Sequence, residues 1–327
     1  MKIVFYNETL LSGGIEKCIE SFVSNFSKKY DIEIVYIDEK KLDNKIVDVL
    51  NKNATVHKLE NDEIIEADIC IWCRIYMNYS KLKQQIKAKK NYLWVHSKPR
   101  ERQNCILDNQ EFLNEVDEII CVSDVVQEML NINKKSIVIH NFLPDNIKKL
   151  ANYEIEEDVL KKEGTLKLVT VSRLSEGKGF DRVENLVKQL KEKNVDFEYV
   201  IIGKGRNKEA EIKNSLSKYK EVKFLGYKEN PFPYIKKADY LVQLSDFETW
   251  GNVISEAKTL ETPVIVTSFK TAYEQIEDDV NGVIIQLEDS DYSKYIDKIV
   301  NNKQKYKHNL KDFVYKNEIQ EWEKLFE

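Results

Sequence analysis

The chain has 327 residues, 42% of them hydrophobic and 33% charged, a composition typical of globular proteins with well-formed cores. Its length suits two domains of ordinary size. The formal net charge of −5 argues against a general nucleic-acid binder, and the apolar runs stay well below the roughly 18 residues that a membrane-spanning helix needs. The N-terminal MKIVFYNETL turns polar too early for a secretory signal, so we expect a cytoplasmic protein.

Short apolar runs alternate with amphipathic stretches along the first half of the chain. The runs predict strands at residues 2–7, 32–37, 69–72, 92–96, 118–123 and 136–140. Helical periodicity fills several of the intervals, as at residues 14–29, where apolar side chains recur on one face. This alternation predicts a parallel sheet covered by helices on both faces.

The second half repeats the pattern after a polar segment, residues 144–164, which we interpret as the connection between two domains. Beyond it, strands are predicted at residues 167–172, 197–203, 222–225, 240–244, 264–267 and 282–286. Helices are predicted at residues 181–193, 208–219 and 251–260, and residues 291–327 are predicted to be helical throughout. Two α/β domains in tandem are therefore expected, with ligands beyond the carboxyl ends of the strands.

Two features of the first half lie at predicted strand ends. Gly13 and Gly14 open a helix, where exposed N–H groups suit an anion, although a plain tight turn fits the pair equally well. The pair is not the G-x-G-x-x-G of dinucleotide-binding folds. His96 ends an apolar strand and would face a cleft between the domains; a structural histidine is the alternative.

One stretch of the first half is strongly basic. Residues 81–100 contain seven lysines and arginines and no acid. They predict either a solvated helix face or a patch for an anionic membrane surface or a phosphate-bearing acceptor.

The cysteines and histidines give no indication of a metal site. Cys70 and Cys73 form a C-x-x-C inside a predicted strand, where residues three apart point to opposite faces. A second pair at ligand spacing is missing, and the four histidines show no H-x-x-x-H. We therefore expect no metal ion.

The second half places cations and glycines after its strands. Arg173 and Lys178 flank a glycine-containing turn that opens a helix, an arrangement that suits a diphosphate. Gly203 ends the next strand ahead of further cations, and Tyr227, followed by Lys228, offers a wall for a planar base. Each cluster also fits an ordinary β-to-α loop.

The stretch SDFETWGNVISEA, residues 245–257, joins a predicted strand to a predicted helix. Glu256 lies inside the helix and needs partners, which the two hydroxyls of a ribose would supply. Glu248, at the turn, suits another hydroxylated group. Between them Trp250, Gly251 and Asn252 begin the helix and present N–H groups to a phosphate. Along the chain, the first acid, the helix-start amides and the second acid fit a sugar, a diphosphate and a ribose in that order.

Taken together and in this order, the motifs resemble those of the retaining, nucleotide-sugar-dependent glycosyltransferases of family four, which have the GT-B fold. The resemblance rests on the glycine pair, the histidine, S-R-L-x-x-x-K-G, G-x-G, L-G-Y and E-x7-E, and it is most specific over residues 168–257. It implies two Rossmann-like domains facing a central cleft, over residues 1–150 (acceptor) and 151–307 (donor). A C-terminal helix over residues 308–327 would cross back to the first domain, anchored by Trp322 and Phe326.

The resemblance also implies roles for single residues. The diphosphate would be held by Arg173 and Lys178, the ribose by Glu256 and the donor sugar by Glu248. The implied catalytic residues are His96, Arg173, Lys178 and Glu248, and the implied donor-binding residues are Gly13, Gly14, Arg173, Lys178, Gly203, Tyr227, Lys228, Glu248, Trp250, Gly251, Asn252 and Glu256.

The implied function is sugar transfer with retention, without metal or cofactor, from a nucleotide-diphosphate donor, expected to be a UDP-sugar. The expected acceptor is a lipid-linked saccharide for a surface polysaccharide or glycoconjugate, which would bring peripheral contact with the inner face of the cell membrane. Departures from the family pattern leave the donor sugar open: Thr249 and Trp250 follow Glu248, and Lys270 and Thr271 replace a glycine pair. The alternatives are a non-catalytic glycan-binding subunit and a sugar-nucleotide epimerase of the same fold.

Overall fold

A computed structural model describes residues 1–11, 13–74, 79–98, 106–205 and 207–327. These form two compact units: unit 1 comprises Met1–Pro144 and Asn317–Glu327, and unit 2 comprises Asp145–Lys316. The chain changes unit at residues 144 and 316, where the sequence predicted boundaries at 150 and 307.

Unit 1 is built on a parallel sheet with the strand order β3-β2-β1-β4-β5-β6-β7. Its strands are β1 (Lys2–Asn7), β2 (Asp31–Tyr36), β3 (Thr55–Lys58), β4 (Ile65–Arg74), β5 (Ile86–Val95), β6 (Glu118–Cys121) and β7 (Ser136–Val138). The winding direction reverses between β1 and β4. In doubly wound sheets this switch point is the place where loops diverge and ligands bind.

Unit 2 is built on a second parallel sheet with the order β10-β9-β8-β11-β12-β13. Its strands are β8 (Leu166–Val171), β9 (Phe197–Ile202), β10 (Val222–Gly226), β11 (Tyr240–Gln243), β12 (Val264–Thr267) and β13 (Gly282–Ile285). Here the switch point lies between β8 and β11. Two Rossmann-like units, as the sequence predicted, are confirmed.

Helices cover the sheets because their apolar faces are buried against the strands. They are α1 (Gly14–Phe26), α2 (Asn44–Leu50), α3 (Tyr79–Gln85), α4 (Gln110–Glu115), α5 (Asp124–Leu130), α6 (Ile147–Leu150), α7 (Phe180–Glu192), α8 (Glu209–Leu216), α9 (Phe232–Lys237), α10 (Asn252–Thr259), α11 (Ala272–Gln275), α12 (Ser293–Asn301), α13 (Lys303–Asn309) and α14 (Ile319–Phe326), with short 3-10 turns at Glu39–Lys41 and Ile106–Asp108. On α1, for example, Ile19, Phe22 and Phe26 are all buried.

The C-terminal helix belongs to unit 1. Trp322 on α14 is fully buried, with its ring centroid 5.0 Å from that of Phe22 and 4.9 Å from that of Trp94. The Tyr92 hydroxyl donates to the Leu325 carbonyl across 2.5 Å. The expected return of the chain to the first domain, anchored by Trp322 and by the buried Phe326, is therefore observed.

Two predicted features are corrected. The tail is not helical throughout, because residues 310–318 separate α13 from α14: there Asn317 bonds both the N–H and the C=O of Leu143, and Glu318 accepts from the backbone N–H of His140. These tertiary bonds replace the bonds of a continuous helix. Strand β3 was not predicted, because its side chains are half-buried or exposed and form no apolar run.

Candidate functional site

The switch point of unit 2 joins two residues that lie seventy positions apart in sequence. Lys178 follows β8 and Glu248 follows β11, and the Nζ of Lys178 lies 2.7 Å from the Oε1 of Glu248. The two loops also meet through a backbone bond from Asp246 N–H to the Gly177 carbonyl, 2.9 Å. Both predicted site residues therefore belong to one cluster.

The carboxylate of Glu248 is held by three donors on one oxygen. Besides Lys178, its Oε1 accepts from the side chains of Gln243 at 2.6 Å and Ser245 at 2.7 Å. The side chains of Glu248 and Lys178 are 13% and 19% exposed, so both retain access to a ligand. Gln243 and Ser245 are buried strand-end residues that the sequence did not single out, because nothing local indicates that they contact Glu248.

The turn that carries Lys178 requires glycine. Gly179 has φ +67°, and a Cβ there would lie 1.7 Å from the carbonyl oxygen of Leu244. Arg182, on the first turn of α7, donates from Nε to the same carbonyl at 2.9 Å, and its guanidinium pairs with Asp246. Arg182 and Asp246 are further residues that the sequence analysis missed. Together they fix the two loops against each other.

Arg173 and Gly203 lie on the neighbouring loops after β8 and β9. Arg173 is exposed. Gly203 has φ +144°, and a Cβ there would lie 1.8 Å from the carbonyl oxygen of Ser172. The observed reason for glycine at this position is thus the close approach of two backbones, which brings the Arg173 loop beside the end of β9.

The segment predicted to meet a base is partly engaged elsewhere. Tyr227 is 42% exposed, as a base-stacking surface requires. Lys228 forms an ion pair with Glu157, from the polar connection, and Tyr234 donates to the same carboxylate. These two contacts hold the pKa of Glu157 below its usual value.

The second glutamate of the stretch lies on α10, whose first residue is Asn252. Gly251 precedes it with φ +79°, and the adjoining Trp250 is buried. Glu256 is half-buried on the second turn of the helix. The helix start and both glutamates therefore follow β11 in the order that the sequence predicted.

The switch point of unit 1 holds a different charge pair. Arg74, at the end of β4, donates from Nη1 to Glu16 on α1 at 3.0 Å and to the Thr9 hydroxyl at 2.7 Å. Glu16 is 1% exposed, and a Cβ on Gly13 would lie 2.9 Å from its Oε2. A buried carboxylate thus lies against the glycine pair that was predicted to approach phosphates, and Arg74 offsets its charge.

His96 directly follows β5, the next strand of the same sheet. Its ring centroid lies 4.2 Å from that of Trp94. Burial and the positive charge of Arg74 lower the pKa of His96 to about 3. A neutral imidazole follows at physiological pH, which can exchange hydrogen bonds with a ligand but carries no charge.

The potential metal ligands among the described residues are buried thiols and acids that already have partners. Cys70 and Cys73 are buried, and burial raises the pKa of both thiols, so they are poor metal ligands. Within the described ranges, one group has ligand-like spacing: Glu33, His57 and Glu63. The Lys2 ammonium already lies 2.6 Å from Glu33, and His57 bridges both acids.

The basic stretch spans α3 and β5. Lys81 and Lys83 lie on α3, whereas Lys87, Lys89 and Lys90 lie on β5, so the expected helix face is corrected for the second part of the stretch. Lys89 pairs with Asp68 at 2.7 Å, and Lys83 pairs with Glu115. Residues 99 and 100 lie outside the described ranges. Nowhere in the described structure does a helix have the length and apolar character to cross a membrane.

Comparison with known sequences identifies a family. The profile of the family described as glycosyl transferases group 1 matches residues 152–317. A glycosyltransferase of Methanocaldococcus jannaschii is 31% identical over 149 residues, 44% of this chain and 36% of the relative. The N-acetylgalactosamine-N,N'-diacetylbacillosaminyl-diphospho-undecaprenol 4-alpha-N-acetylgalactosaminyltransferase of Campylobacter jejuni is 28% identical over 171 residues, 51% of this chain and 44% of the relative. Each match spans less than half of the relative's own length.

Solved structures share the fold over nearly the whole chain. A glycosyltransferase from Rickettsia africae superposes with a TM-score of 0.77 at 16% identity, covering 99% of this chain and 97% of the other. Anabaena HepE, solved with UDP and glucose, superposes with a TM-score of 0.73 at 17% identity, covering 95% of this chain and 92% of the other.

Proposed function

The chain belongs to the glycosyl transferases group 1 family, and from that premise we propose that it is a retaining glycosyltransferase that uses a UDP-sugar and a lipid-linked saccharide acceptor. The observation that carries the proposal is the contact between Lys178 and Glu248 at the switch point of unit 2. It joins a cation suited to phosphate and a carboxylate suited to sugar hydroxyls at the place where doubly wound sheets bind ligands.

In the proposed donor complex, Lys178 exchanges its contact with Glu248 for the diphosphate. The exchange is inexpensive because Glu248 keeps two neutral donors, Gln243 and Ser245. Exposed Arg173 reaches the same phosphates, and the N–H groups at the start of α10 add to their field. Glu248 then accepts from hydroxyls of the donor sugar, and Glu256 from those of the ribose.

The cations supply the main catalytic effect. As the bond to the sugar breaks, negative charge grows on the leaving diphosphate, and Lys178 and Arg173 stabilise it. The acceptor hydroxyl attacks from the face that the diphosphate leaves, and a phosphate oxygen takes its proton. This route needs no nucleophile from the protein and no divalent ion to neutralise the phosphates. His96, neutral at physiological pH, contributes hydrogen bonds rather than charge.

The acceptor proposal rests on relatives and on charge. The Campylobacter relative is named for transfer to a saccharide on diphospho-undecaprenol. A lipid-linked acceptor would bring this chain to the inner face of the membrane, where the lysines of residues 81–100 that lie on the surface would face anionic headgroups.

The proposal is tested by thermal stabilisation with a panel of nucleoside diphosphates and their sugars, comparing the unaltered protein with Glu256→Ala. A ligand at about 100 times its dissociation constant stabilises by about 2.7 kcal/mol. We expect uridine ligands to stand out and the effect to be lost in Glu256→Ala. A flat response to every nucleotide would contradict the proposal.

A further inference from the structure

Three buried side chains of residues 267–275 donate hydrogen bonds to backbone carbonyls of the loop that carries Glu248. The hydroxyl of Thr267 donates to the Ser245 carbonyl at 2.5 Å, and the hydroxyl of Thr271 donates to the Glu248 carbonyl at 2.8 Å. The amide of Gln275 donates to the Trp250 carbonyl. The donors recur at every fourth residue, and their exposed fractions are 0%, 0% and 6%.

The third donor is itself fixed in place from two sides. The Oε1 of Gln275 accepts from the hydroxyl of buried Ser255 at 2.7 Å, so its NH2 must point toward Trp250. The carbonyl of Gln275 accepts from the Nζ of Lys258 at 2.5 Å, and that ammonium lies 4.2 Å from the ring centroid of Phe313. A buried lysine without an ion pair among the described residues is expensive, yet here it anchors the segment to α10.

A purely structural role explains these bonds only in part. Buried carbonyls need donors, but backbone or water supplies them in most loops. Here three carbonyls within six residues, on either side of the Glu248 side chain, are all fixed by side chains of the segment from β12 to α11. The carboxylate is in turn fixed by Gln243 and Ser245, so both backbone and side chain of Glu248 are constrained.

We propose that Thr267, Thr271 and Gln275 are positioning residues that hold Glu248 and the start of α10 in register for the sugar of the donor. The inference rests on the proposed function of that site. It gives a role in donor-sugar recognition to the segment where Lys270 and Thr271 depart from the glycine pair of the resembled family pattern. Misplacement of a binding group by about 1 Å can lower a rate by about 100-fold. Hydrogen bonds that fix the backbone of Glu248 should therefore affect the rate of sugar transfer more than the affinity for the nucleotide.

The experiment compares Thr271→Val and the double variant Thr271→Val/Gln275→Leu with a matched control, Thr262→Val. Thr262 is also buried and also donates to a carbonyl, that of Ile235, away from the loop. Affinity for UDP and for the UDP-sugar that the unaltered protein binds best is measured by calorimetry. Release of UDP from that sugar nucleotide is measured as hydrolysis, in which water takes the sugar.

We expect the double variant to bind UDP within about 2-fold of the unaltered protein, and to bind and turn over the sugar nucleotide at least 10-fold less well. The control should lose stability but should not differ in its effects on UDP binding and on sugar-nucleotide binding and turnover. Hydrogen exchange should quicken at the amides of residues 246–252 in the double variant and not in the control.

Two results would overturn the inference. One is equal loss of UDP and sugar-nucleotide affinity in the double variant, and the other is a double variant that behaves as Thr262→Val does. Absence of nucleotide binding by the unaltered protein would instead remove the proposed function, and the positioning role with it.

Discussion

The two units place an ion pair at the same topological point and use it differently. In unit 1, Glu16 is 1% exposed beneath Arg74, which is also bonded to Thr9. In unit 2, Glu248 is 13% exposed, and two neutral donors share the oxygen that Lys178 contacts. Removing Arg74 would leave the fully buried Glu16 carboxylate with one long hydrogen bond, from the Asn7 amide at 3.3 Å. Removing Lys178 would leave the Glu248 carboxylate, which is partly exposed, with two short hydrogen bonds. We therefore expect the unit 1 pair to be a fixed part of the fold, and under the proposed function the unit 2 pair exchanges partners with the donor.

The largest effect should come from Arg74→Met. It leaves Glu16 buried without its cation, which typically costs about 3–5 kcal/mol. Urea unfolding monitored by tryptophan fluorescence measures this, and Glu16→Gln/Arg74→Met is the control that removes both charges and should recover part of the loss. If the single variant loses less than about 1 kcal/mol, the pair is not a fixed part of unit 1.

Lys178→Met should lower activity and have a smaller effect on stability than Arg74→Met. Sugar-nucleotide turnover should fall by about 100- to 1,000-fold, since one cation that stabilises developing charge has been removed. The free energy of unfolding should fall by less than the about 3–5 kcal/mol typical of a broken buried pair, since Gln243 and Ser245 still satisfy Glu248. Steady-state kinetics and urea unfolding of the same preparation test both parts. A strongly destabilised Lys178→Met would make the two pairs equivalent and remove the contrast.

Lys258→Met sharpens the comparison within unit 2. Burial lowers the pKa of Lys258 to about 8, from 10.5 in the unfolded chain. The folded state therefore bears the cost of a buried charge below pH 8, and this cost fades between pH 8 and 10.5 as the unfolded chain holds more protons. Removing the buried charge should raise the free energy of unfolding at pH 7 by about 2–3 kcal/mol, and loss of the hydrogen bond to Gln275 should offset part of this gain. The gain should shrink as the pH approaches 10.5. Unfolding midpoints from pH 7 to 10.5 measure this, and a gain that does not vary with pH would contradict it.

His96→Asn gives the smallest effect, on the acid side of unit 1. Because the pKa of His96 is lowered to about 3 in the fold, the unfolded chain binds an extra proton between pH 6.5 and 3. Stability is therefore unaffected above pH 6.5 and falls as the pH decreases through this window. Between pH 7 and pH 5, the free energy of unfolding of the unaltered protein should fall by about 2 kcal/mol more than that of the asparagine variant. Thermal unfolding at pH 7 and pH 5 compares the two proteins. Parallel losses in both would show that other groups control the acid sensitivity.

The fold could be predicted largely from local patterns. The apolar runs at β1, β8 and β12 gave these strands nearly residue by residue, because buried parallel strands are continuously hydrophobic. Strand β3, with the sequence Thr-Val-His-Lys, was missed because it lies at the sheet edge and is not buried. The break between α13 and α14 was missed because the helical pattern of the tail is locally sound and is interrupted by bonds to residues 140 and 143.

Single residues of the candidate site could be predicted from the sequence, but the contacts between them could not. Lys178 and Glu248 were each assigned to a ligand from their place after a strand. Their mutual contact was not predictable, because it depends on β8 and β11 being neighbours in the sheet. Thr267 and Gln275 carried no sequence signal, and Thr271 was noted only because it departs from a family pattern. A threonine or glutamine in a loop has no sequence pattern that indicates which carbonyl it bonds.

The sequence by itself determined the two α/β units, the charged and glycine-containing loops after their strands, and the resemblance to glycosyl transferases group 1, because periodicity, glycines in turns and charges near helix starts are local properties of the chain. Only the tertiary structure decided which acid meets which cation, that Glu16 is buried beneath Gly13 while Glu248 stays open, and that a following segment braces the Glu248 loop. Sheet order brings together residues seventy positions apart, and hydrogen bonding and burial there set what each charge can do.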